Sequence, residues 1–345
     1  MLLVKGVVIM YKPRLKGSHY EMGHHYGSLL YKNGVRLDEL VACNDEKLKF
    51  GIESLNICEK VYPNIIDEIK GMADGLHLRY EALGTFIITA GAFAFDIGCS
   101  NLAIKTDDGV FFGRNHDMFT VLKKTTETVL CRPDDGYYFV GQGDAVIGKE
   151  DGINEHGLAV GMNFVYPKTV KPGLNFLIIV RMLLETCKTT DEAISVLKNI
   201  PSMTSHNIML VDASGHMAVV EMCSERTRVR YPDKHYITST NHFNHPDMLA
   251  YEDKPEENWF MTKDRLDCME EALKDLKKVN LSDIKDILSG RKGNLCHYDK
   301  KLKFDTLWSF CAELTTLDIE RAEGNPSRAK FKKETRLDWA MKKRK

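Results

Sequence analysis

Helical spacing of apolar residues dominates the first hundred residues. The strongest pattern covers residues 62–76, with a proline near its start and a glycine near its end. Its apolar members fall on one helical face: Ile65, Ile66, Ile69, Met72 and Ala73. Residues 19–30 have a weaker pattern, because glycine disfavours a helix interior. The sequence predicts a mainly helical N-terminal region.

From residue 99 onward, short apolar runs separated by turn residues predict β-strands. Residues 101–105 and 110–114 flank Asp107-Asp108-Gly109, a hairpin sequence. The residues 151–157 are expected to form the turn that enters the strand 157–164. The other predicted strands are 127–132, 137–141, 145–148, 206–212, 216–222, 236–240, 306–314 and 316–322.

Helices are predicted between these runs of strands. Residues 175–186 are apolar on nearly every side, as in a buried helix. A second helix begins at Thr189, where Glu192 completes a capping box. Another covers residues 282–288. A long helix before it has an apolar face made of Leu266, Met269, Leu273 and Leu276.

This order of elements indicates an α+β protein built from stacked layers with antiparallel sheets. The strands and helices do not alternate strictly, which argues against a doubly wound parallel sheet. No internal repeat or low-complexity linker divides the 345 residues.

Composition narrows the class of protein. Hydrophobic residues make up 43% and charged residues 28%, a mix typical of globular proteins and not of disordered chains. The net charge of -1 argues against a general nucleic-acid binder, so we expect no nucleic-acid partner.

Nine scattered cysteines without a CxxC pair argue against a disulfide framework and a cysteine zinc site. Reduced thiols are typical of the cytosol. The N-terminus has no pattern of a signal peptide, and the apolar residues 174–184 are too few to span a bilayer. The sequence therefore predicts a cytoplasmic protein without a membrane partner.

The P-loop, the GxGxxG dinucleotide fingerprint, HExxH and GxSxG are all missing from the sequence. His242 and His245 could chelate a metal ion, but two polar loop histidines without a third ligand are more simply surface side chains. We expect no metal and no cofactor.

Cys99 is the cysteine whose predicted neighbours could support catalysis. Cys99 begins the first strand of the predicted hairpin, and Arg114 and Asp117 end the second. An antiparallel hairpin can bring these three residues to one end of a sheet. A guanidinium near a thiol favours the thiolate nucleophile. The structural alternative is a buried cysteine beside an ordinary Arg114–Asp117 ion pair.

Several segments together resemble the acyl-CoA:6-aminopenicillanic-acid acyltransferase-like group of N-terminal nucleophile hydrolases, and more distantly choloylglycine hydrolases and penicillin V acylases. The resemblance runs from about Gly17 to Phe331. Its motifs, in chain order, are Gly17-Ser18-His19-Tyr20-Glu21-Met22-Gly23, Ile69-Lys70-Gly71-Met72-Ala73-Asp74-Gly75, Gly98-Cys99-Ser100, Gly113-Arg114-Asn115-His116-Asp117, Gly152-Ile153-Asn154-Glu155-His156-Gly157 and Ser239-Thr240-Asn241-His242-Phe243.

The resemblance implies a four-layer αββα sandwich made as a precursor that cleaves itself between Gly98 and Cys99. Residues 1–98 and 99–345 would become two chains of one domain, a heterodimer of its own fragments. The freed α-amine of Cys99 would then serve as the base. Asn241 would donate to the oxyanion, with Asn163 as the second donor. Arg114 and Asp117 would position the thiol and the amine.

Ser327 and Arg328 resemble a serine–arginine pair of the same superfamily that could contact substrate. Arg328 also opens a tail with nine basic and two acidic residues. That tail could meet an anionic partner such as the phosphates of coenzyme A, or it could simply be a solvated or docked terminus. The sequence contains no dedicated coenzyme A motif.

The expected function is therefore a self-processing cysteine amidase that hydrolyses a linear C–N amide bond through a Cys99 acyl-enzyme. Transfer of the acyl group from an acyl-CoA to an amine would share that intermediate. Two alternatives remain at this point: a non-catalytic ligand-binding protein that keeps the fold, and a conventional Cys-His protease that uses, for example, Cys296-His297. A higher homo-oligomer is compatible with all three.

Overall fold

The computed structural model describes residues 10–92, 98–143, 147–253, 260–296 and 298–344. The helices are α1 (His19–Lys32), α2 (Asp38–Val41), α3 (Asp45–Val61), α4 (Pro63–Leu76), α5 (Tyr80–Ile88), α6 (Phe176–Thr186), α7 (Thr190–Leu197), α8 (Thr262–Leu273), α9 (Leu281–Leu288) and α10 (Arg336–Lys342). The strands are β1 (Arg14–Gly17), β2 (Gly98–Thr106), β3 (Gly109–Phe119), β4 (Glu127–Pro133), β5 (Phe139–Gly143), β6 (Asp151–Asn154), β7 (Ala159–Phe164), β8 (His206–Val211), β9 (Met217–Met222), β10 (Thr227–Arg230), β11 (Tyr236–Ser239), β12 (Tyr298–Asp299), β13 (Phe304–Glu313), β14 (Asp318–Glu323) and β15 (Lys332–Lys333). Short 3₁₀ helices cover Thr120–Lys124 and Pro246–Tyr251.

The N-terminal region is helical, as predicted, and the glycines of α1 explain how it packs. A Cβ atom on Gly23 would lie 1.9 Å from the backbone carbonyl oxygen of Glu68 in α4, and one on Gly71 would lie 2.1 Å from the carbonyl oxygen of Tyr20. The two helices therefore touch backbone to backbone. Close packing, together with a complete capping box at Ser18, compensates for the low helix propensity of glycine.

The first sheet has the strand order β1-β4-β5-β6-β7-β8-β9-β10. Its pairs are antiparallel, except that β1 joins β4 in parallel. Two predictions were wrong here. Residues 147 and 148 lie outside any strand, while Ala145 is outside the described residues. Residues 151–154, predicted as a turn, form β6, because they pair with β5 on one side and β7 on the other. Glycine fits this strand at 152, where a Cβ atom would lie 2.6 Å from the Val140 carbonyl oxygen.

The second sheet has the order β11-β2-β3-β13-β14-β15, with β12 paired to β13. The predicted hairpin forms its centre as β2 and β3. The predicted strand 316–322 starts later, at β14, because Leu317 takes a positive φ of 56° in the connecting turn. Likewise α8 ends at Leu273, so Leu276 lies beyond the helix.

The two sheets stack face to face, with helices on both outer faces. The core between the sheets includes Phe112 and Phe310 from the second sheet and Met209 and Val219 from the first. α8 and α9 cover the second sheet, and α6, α7 and the N-terminal helices cover the first. This is the αββα sandwich that the sequence predicted. Among the described residues, no helix has the length and apolarity required to cross a bilayer.

Candidate active site

Cys99 lies at the start of β2, where the hairpin register brings it against the end of β3. Cys99 pairs with His116, and Gly98 pairs with Asp117. Side chains alternate along a strand, so Arg114 and His116 share one face of β3 and Asp117 lies on the other. Arg114 and His116 face the first sheet, where Arg114 meets residues 150 and 151. Asp117 faces α8, close to Arg265.

Arg114 contacts the thiol directly. Its Nη2 donates to Cys99 Sγ at 3.2 Å, and its Nη1 donates to Asp151 Oδ2 at 2.5 Å. Trp308 Nε1 donates to the same carboxylate oxygen at 2.8 Å and helps to fix it. Arg114 and Asp117 do not form the ion pair considered above. The carboxylate partners of Arg114 are Asp151 and Glu150.

The thiol is not a thiolate in this intact chain. Cys99 is fully buried, and burial raises the pKa of its thiol to about 12. The charges of Arg114 and Arg265 act in the opposite direction, while Glu150 and Asp117 add to the rise. The expectation that a nearby guanidinium favours the thiolate was therefore incomplete, because loss of hydration outweighs it.

The backbone of Cys99 is held on both sides. Its N–H donates to Asn241 Oδ1 at 2.8 Å. Its carbonyl oxygen accepts from Asn163 Nδ2 at 3.0 Å and from Arg265 Nη1 at 2.6 Å. Asn163 Oδ1 in turn accepts from Ser239 Oγ at 2.7 Å. The structure thus brings Asn241 and Asn163 to Cys99, where both position the nucleophile's own peptide groups.

Sequence reasoning missed Arg265. This side chain of α8 is fully buried and donates from Nη2 to Asn241 Oδ1 at 2.8 Å and from Nη1 to Ser100 Oγ at 2.8 Å. Burial lowers its pKa, and Asp117 and Cys99 oppose that change. The available signal was an arginine on the same helical face as Met269, four residues on, inside an otherwise apolar stripe.

Asp117 lies beside the bond that precedes Cys99. A Cβ atom added to Gly98 would be 3.1 Å from Asp117 Cβ, so the carboxyl group covers this glycine. Asp117 Oδ1 accepts from Thr306 Oγ1 at 2.6 Å, and Oδ2 is 3.9 Å from Arg265 Nη1. Burial raises the pKa of Asp117 to about 6, although Arg265 and the Thr306 hydrogen bond lower it.

His116 also belongs to this cluster, together with Glu150, which sequence reasoning missed. The imidazole stacks on the Trp308 ring with centroids 3.8 Å apart and planes 9° from parallel. Its Nδ1 lies 3.8 Å from Cys99 Sγ and 2.5 Å from Glu150 Oε2. A register shift in β13 between Thr306 and Trp308 places Trp308 opposite His116.

Other candidates lie apart from this cluster. Arg328 is half-exposed, pairs with Asp305 at 2.5 Å and lies over the Tyr298 ring. Ser327 Oγ donates to Asn325 Oδ1 at 2.6 Å. The structure does not show either residue in contact with Cys99 in the part of the chain it describes. The tail of the chain is docked in part, as α10.

The alternative thiol and the histidine pair gain no support from their surroundings. Cys296 Sγ donates to the Leu288 carbonyl oxygen at 2.9 Å, burial raises its pKa to about 12, and His297 lies outside the described residues. His242 Nδ1 is 2.8 Å from Thr262 Oγ1, and His245 Nδ1 accepts from the Asp247 amide. Within the described ranges, no group of three or more His, Cys, Asp or Glu side chains could hold a metal ion.

Several solved structures are similar to this chain, and the first of those named here shows the same kind of fold. A mutant conjugated bile acid hydrolase from Clostridium perfringens is 16% identical to this chain, with TM-score 0.50, over 69% of this chain and 93% of that chain. Penicillin V acylase from Agrobacterium tumefaciens is 17% identical, with TM-score 0.46, over 65% and 82%. A Caenorhabditis elegans ortholog of N-acylethanolamine-hydrolyzing acid amidase is 16% identical, with TM-score 0.48, over 63% and 93%. No curated protein matches the sequence.

One family is matched by sequence. The family described as acyl-coenzyme A:6-aminopenicillanic acid acyl-transferase matches residues 104–328, well over half of the chain. The match begins just after Cys99, and the site residues inside it include Arg114, Asp117, Asn163 and Asn241. The protein is therefore an enzyme that belongs to the acyl-coenzyme A:6-aminopenicillanic acid acyl-transferase family.

Proposed function

We propose that this protein is a self-processing cysteine amidase, with Cys99 as its nucleophile. It cleaves its own Gly98–Cys99 bond and then hydrolyses a linear, non-peptide or short-peptide C–N amide bond through a thioester on Cys99. One observation carries the proposal. The Cys99 thiol accepts from Arg114 at 3.2 Å, while both peptide groups of the same residue are fixed by buried side chains.

Burial of the thiol supports self-cleavage as the first reaction. Cys99 has no exposed surface in the intact chain, so an external amide has no path to Sγ. The carbonyl of Gly98, by contrast, is one bond from the Cys99 nitrogen. Asn241 and Arg265 hold that region of the chain in a single geometry, which favours an intramolecular attack.

Cleavage would also supply the base for turnover. A free α-amine has a pKa of about 7.7 to 8.0, near neutral pH. The Cys99 nitrogen already lies 2.8 Å from Asn241 Oδ1, which would accept a hydrogen bond from the amine and orient it. The amine would take the thiol proton, so the amidase needs no separate histidine in each cycle. Asp117, beside the new terminus, would stabilise the ammonium form.

The acyl-enzyme has two possible acceptors. Water completes hydrolysis, and an amine completes acyl transfer; both follow from the same thioester. The family name adds an acyl-CoA as an acyl donor to test, with coenzyme A as a co-substrate and not a bound cofactor. A cytoplasmic location is part of the proposal, and the free thiols of the described cysteines support it.

The two fragments are proposed to remain together after cleavage as a heterodimer. β1 stays paired with β4 across the cut. Arg181 binds Glu68 at 2.8 Å and Glu185 at 3.0 Å, and His19 also binds Glu185, all of them buried. Breaking such a buried pair costs about 3 to 5 kcal/mol. The fragments should co-elute in native buffer and separate only in denaturant.

The denatured mass of the purified protein tests the proposal. Wild type should give two pieces that meet between Gly98 and Cys99, and Cys99→Ala should stay whole. Cys311→Ala is the matched control, since Cys311 is equally buried and lies two strands away, in β13. A wild type that stays whole on long incubation contradicts self-processing and favours a ligand-binding role.

An amide and acyl-CoA screen then tests the second half of the proposal. Processed wild type should release a carboxylic acid from an amide substrate, and Cys311→Ala should match it. An added amine acceptor that takes the acyl group in competition with water would identify acyl transfer. Turnover that survives in Cys99→Ala would instead point to another nucleophile, such as Cys296.

A further inference from the structure

We propose that His116, paired with Glu150, is the base that takes the Cys99 thiol proton during self-cleavage. The inference rests on the proposed function and names a catalytic residue for its first step. It assigns a role to a histidine and a carboxylate that the amidase cycle does not use.

Self-cleavage needs a base other than the one used in turnover. Before cleavage, the nitrogen of Cys99 belongs to a peptide bond and its N–H donates to Asn241. A peptide nitrogen has no basic lone pair, because that pair is delocalised into the carbonyl group. The buried thiol must nevertheless lose its proton to attack the Gly98 carbonyl. The acceptor must therefore be a side chain that already lies beside Sγ.

His116 is placed for this task. It lies directly opposite Cys99 in the β2–β3 register, and its Nδ1 is 3.8 Å from Sγ. Trp308 covers one face of the ring in a parallel stack and limits its rotation. A general base must be held within short reach of the proton that it removes, and contacts in a resting site often tighten as the reaction begins.

Glu150 makes the proton transfer favourable. Its Oε2 lies 2.5 Å from the same Nδ1, so the carboxylate can take the proton on Nδ1 while Nδ1 takes the proton of the thiol. Arg114 Nη2 is 3.5 Å from Glu150 Oε2 and 3.2 Å from Cys99 Sγ. Its positive charge stabilises the thiolate as the proton leaves.

The step balances without any co-reactant except water. Nδ1 begins with the proton that it shares with Glu150 Oε2. That proton moves onto the carboxylate as Nδ1 takes the thiol proton, and Sγ forms a bond to the carbonyl carbon of Gly98. The C–N bond to Cys99 then breaks, Nδ1 gives a proton to the leaving nitrogen, and the proton on Glu150 returns to Nδ1. Water hydrolyses the resulting thioester and gives a Gly98 carboxylate, a free thiol and a free α-amine.

The test measures the rate of self-cleavage and the rate of turnover separately. His116→Ala should slow cleavage by about a hundredfold or more, which is the usual contribution of a general base. Turnover per processed chain should fall by a much smaller factor, roughly tenfold or less, because the α-amine has become the base. A merely structural role for His116 would lower both rates together. Imidazole added to His116→Ala should restore cleavage in part.

His206→Ala is the matched control. His206 is also a fully buried histidine on a strand, but it lies in β8 and packs near Phe176. Its removal should leave cleavage within about threefold of wild type. If His116→Ala does not fold, His116→Phe, which can retain the stack on Trp308, replaces it with the same expected loss of cleavage.

The outcomes separate the two proposals. A wild type that cleaves itself while a folded His116 variant matches its rate overturns the His116–Glu150 relay and leaves the proposed function standing. Loss of cleavage in Asp117→Asn but not in His116→Ala also overturns the relay and assigns the base to the other face of β3. A wild type that never cleaves overturns the proposed function, and the relay with it.

Discussion

Replacement of Arg265 by lysine removes the fork that ties Cys99 to Asn241 but keeps the positive charge. In the structure, Arg265 donates to the Cys99 carbonyl oxygen at 2.6 Å and to Asn241 Oδ1 at 2.8 Å. A lysine ammonium is a single point on a flexible stem and cannot hold both acceptors in one plane. Asn241, whose Oδ1 accepts from the N–H of the scissile peptide, and the Cys99 carbonyl group should therefore lose their fixed orientation.

The size of the effect follows from these two contacts. A hydrogen bond to a charged group contributes about 1.5 to 3 kcal/mol. If lysine keeps one contact and loses the other, the barrier to self-cleavage rises by about 1.5 to 3 kcal/mol. Since each 1.4 kcal/mol is tenfold in rate, Arg265→Lys should cleave roughly 10- to 150-fold more slowly than wild type.

The half-time of the intact chain on denaturing gels measures this effect. Arg181→Lys is the control, because Arg181 is an equally buried arginine whose ion pairs lie with Glu68 and Glu185, away from Cys99. It should lower the melting temperature and leave the rate of cleavage in the folded fraction near that of wild type. A folded Arg265→Lys that cleaves within threefold of wild type would refute the assigned positioning role.

Three further predictions concern the ionisation of Asp117, the space beside Gly98 and the ion pair between the two fragments. The pKa of Asp117 is raised to about 6 from 3.8. The fold therefore favours the protonated carboxyl group of Asp117. This contribution to the free energy of unfolding is fully present below pH 3.8 and falls by about 3 kcal/mol as pH rises through 6. In a Cys99→Ala background, Asp117→Asn should therefore raise the melting temperature at pH 8 but barely at pH 4; equal shifts at both would contradict this sign. Gly98→Ala should slow cleavage at least tenfold, since its Cβ would lie 3.1 Å from Asp117 Cβ; an unchanged rate of mass conversion would show that the neighbours yield. Arg181→Met leaves Glu68 buried without its cation and should cost about 3 to 5 kcal/mol in urea unfolding, and a loss under 1 kcal/mol would argue against a buried pair.

Local patterns predicted much of the fold correctly because they report on neighbours along the chain. The 62–76 helix, the β2–β3 hairpin and the start of α7 after Thr189 all depend on residues within a few positions. The capping box predicted at Thr189 forms only in part: Thr189 Oγ1 accepts from the Glu192 N–H, but the Glu192 carboxylate accepts from the Lys188 N–H. Predictions failed where distant packing overrides a local preference. Gly152 lies in a turn-like sequence but forms part of a strand, because β6 pairs with β5 and β7, and Val140 and Leu184 leave no room there for a side chain.

The residues of the candidate site also fall into two groups: those that local patterns predict and those that only the packing of distant segments brings together. The motifs Gly98-Cys99-Ser100 and Gly113-Arg114-Asn115-His116-Asp117 were visible in the sequence. The hairpin alone explains why Arg114 reaches the thiol. Arg265 lies 166 residues from Cys99 in the chain, so no local pattern could connect them. Glu150 was hidden for the same reason, since it precedes a strand of the other sheet.

The sequence by itself determined most of the longer helices and strands, the nucleophile candidate and the family resemblance, because these depend on residue types and short spacings. Only the tertiary structure decided the electrostatics of the thiol. Its pKa reflects the balance between burial, which is a property of the whole stacked sandwich, and the charges of Arg114 and Arg265, which reach it from different elements. Side-chain alternation along β3 directs Arg114 to one face of the strand and Asp117 to the other. The layers stacked on those two faces then fix which charged partner each of them meets.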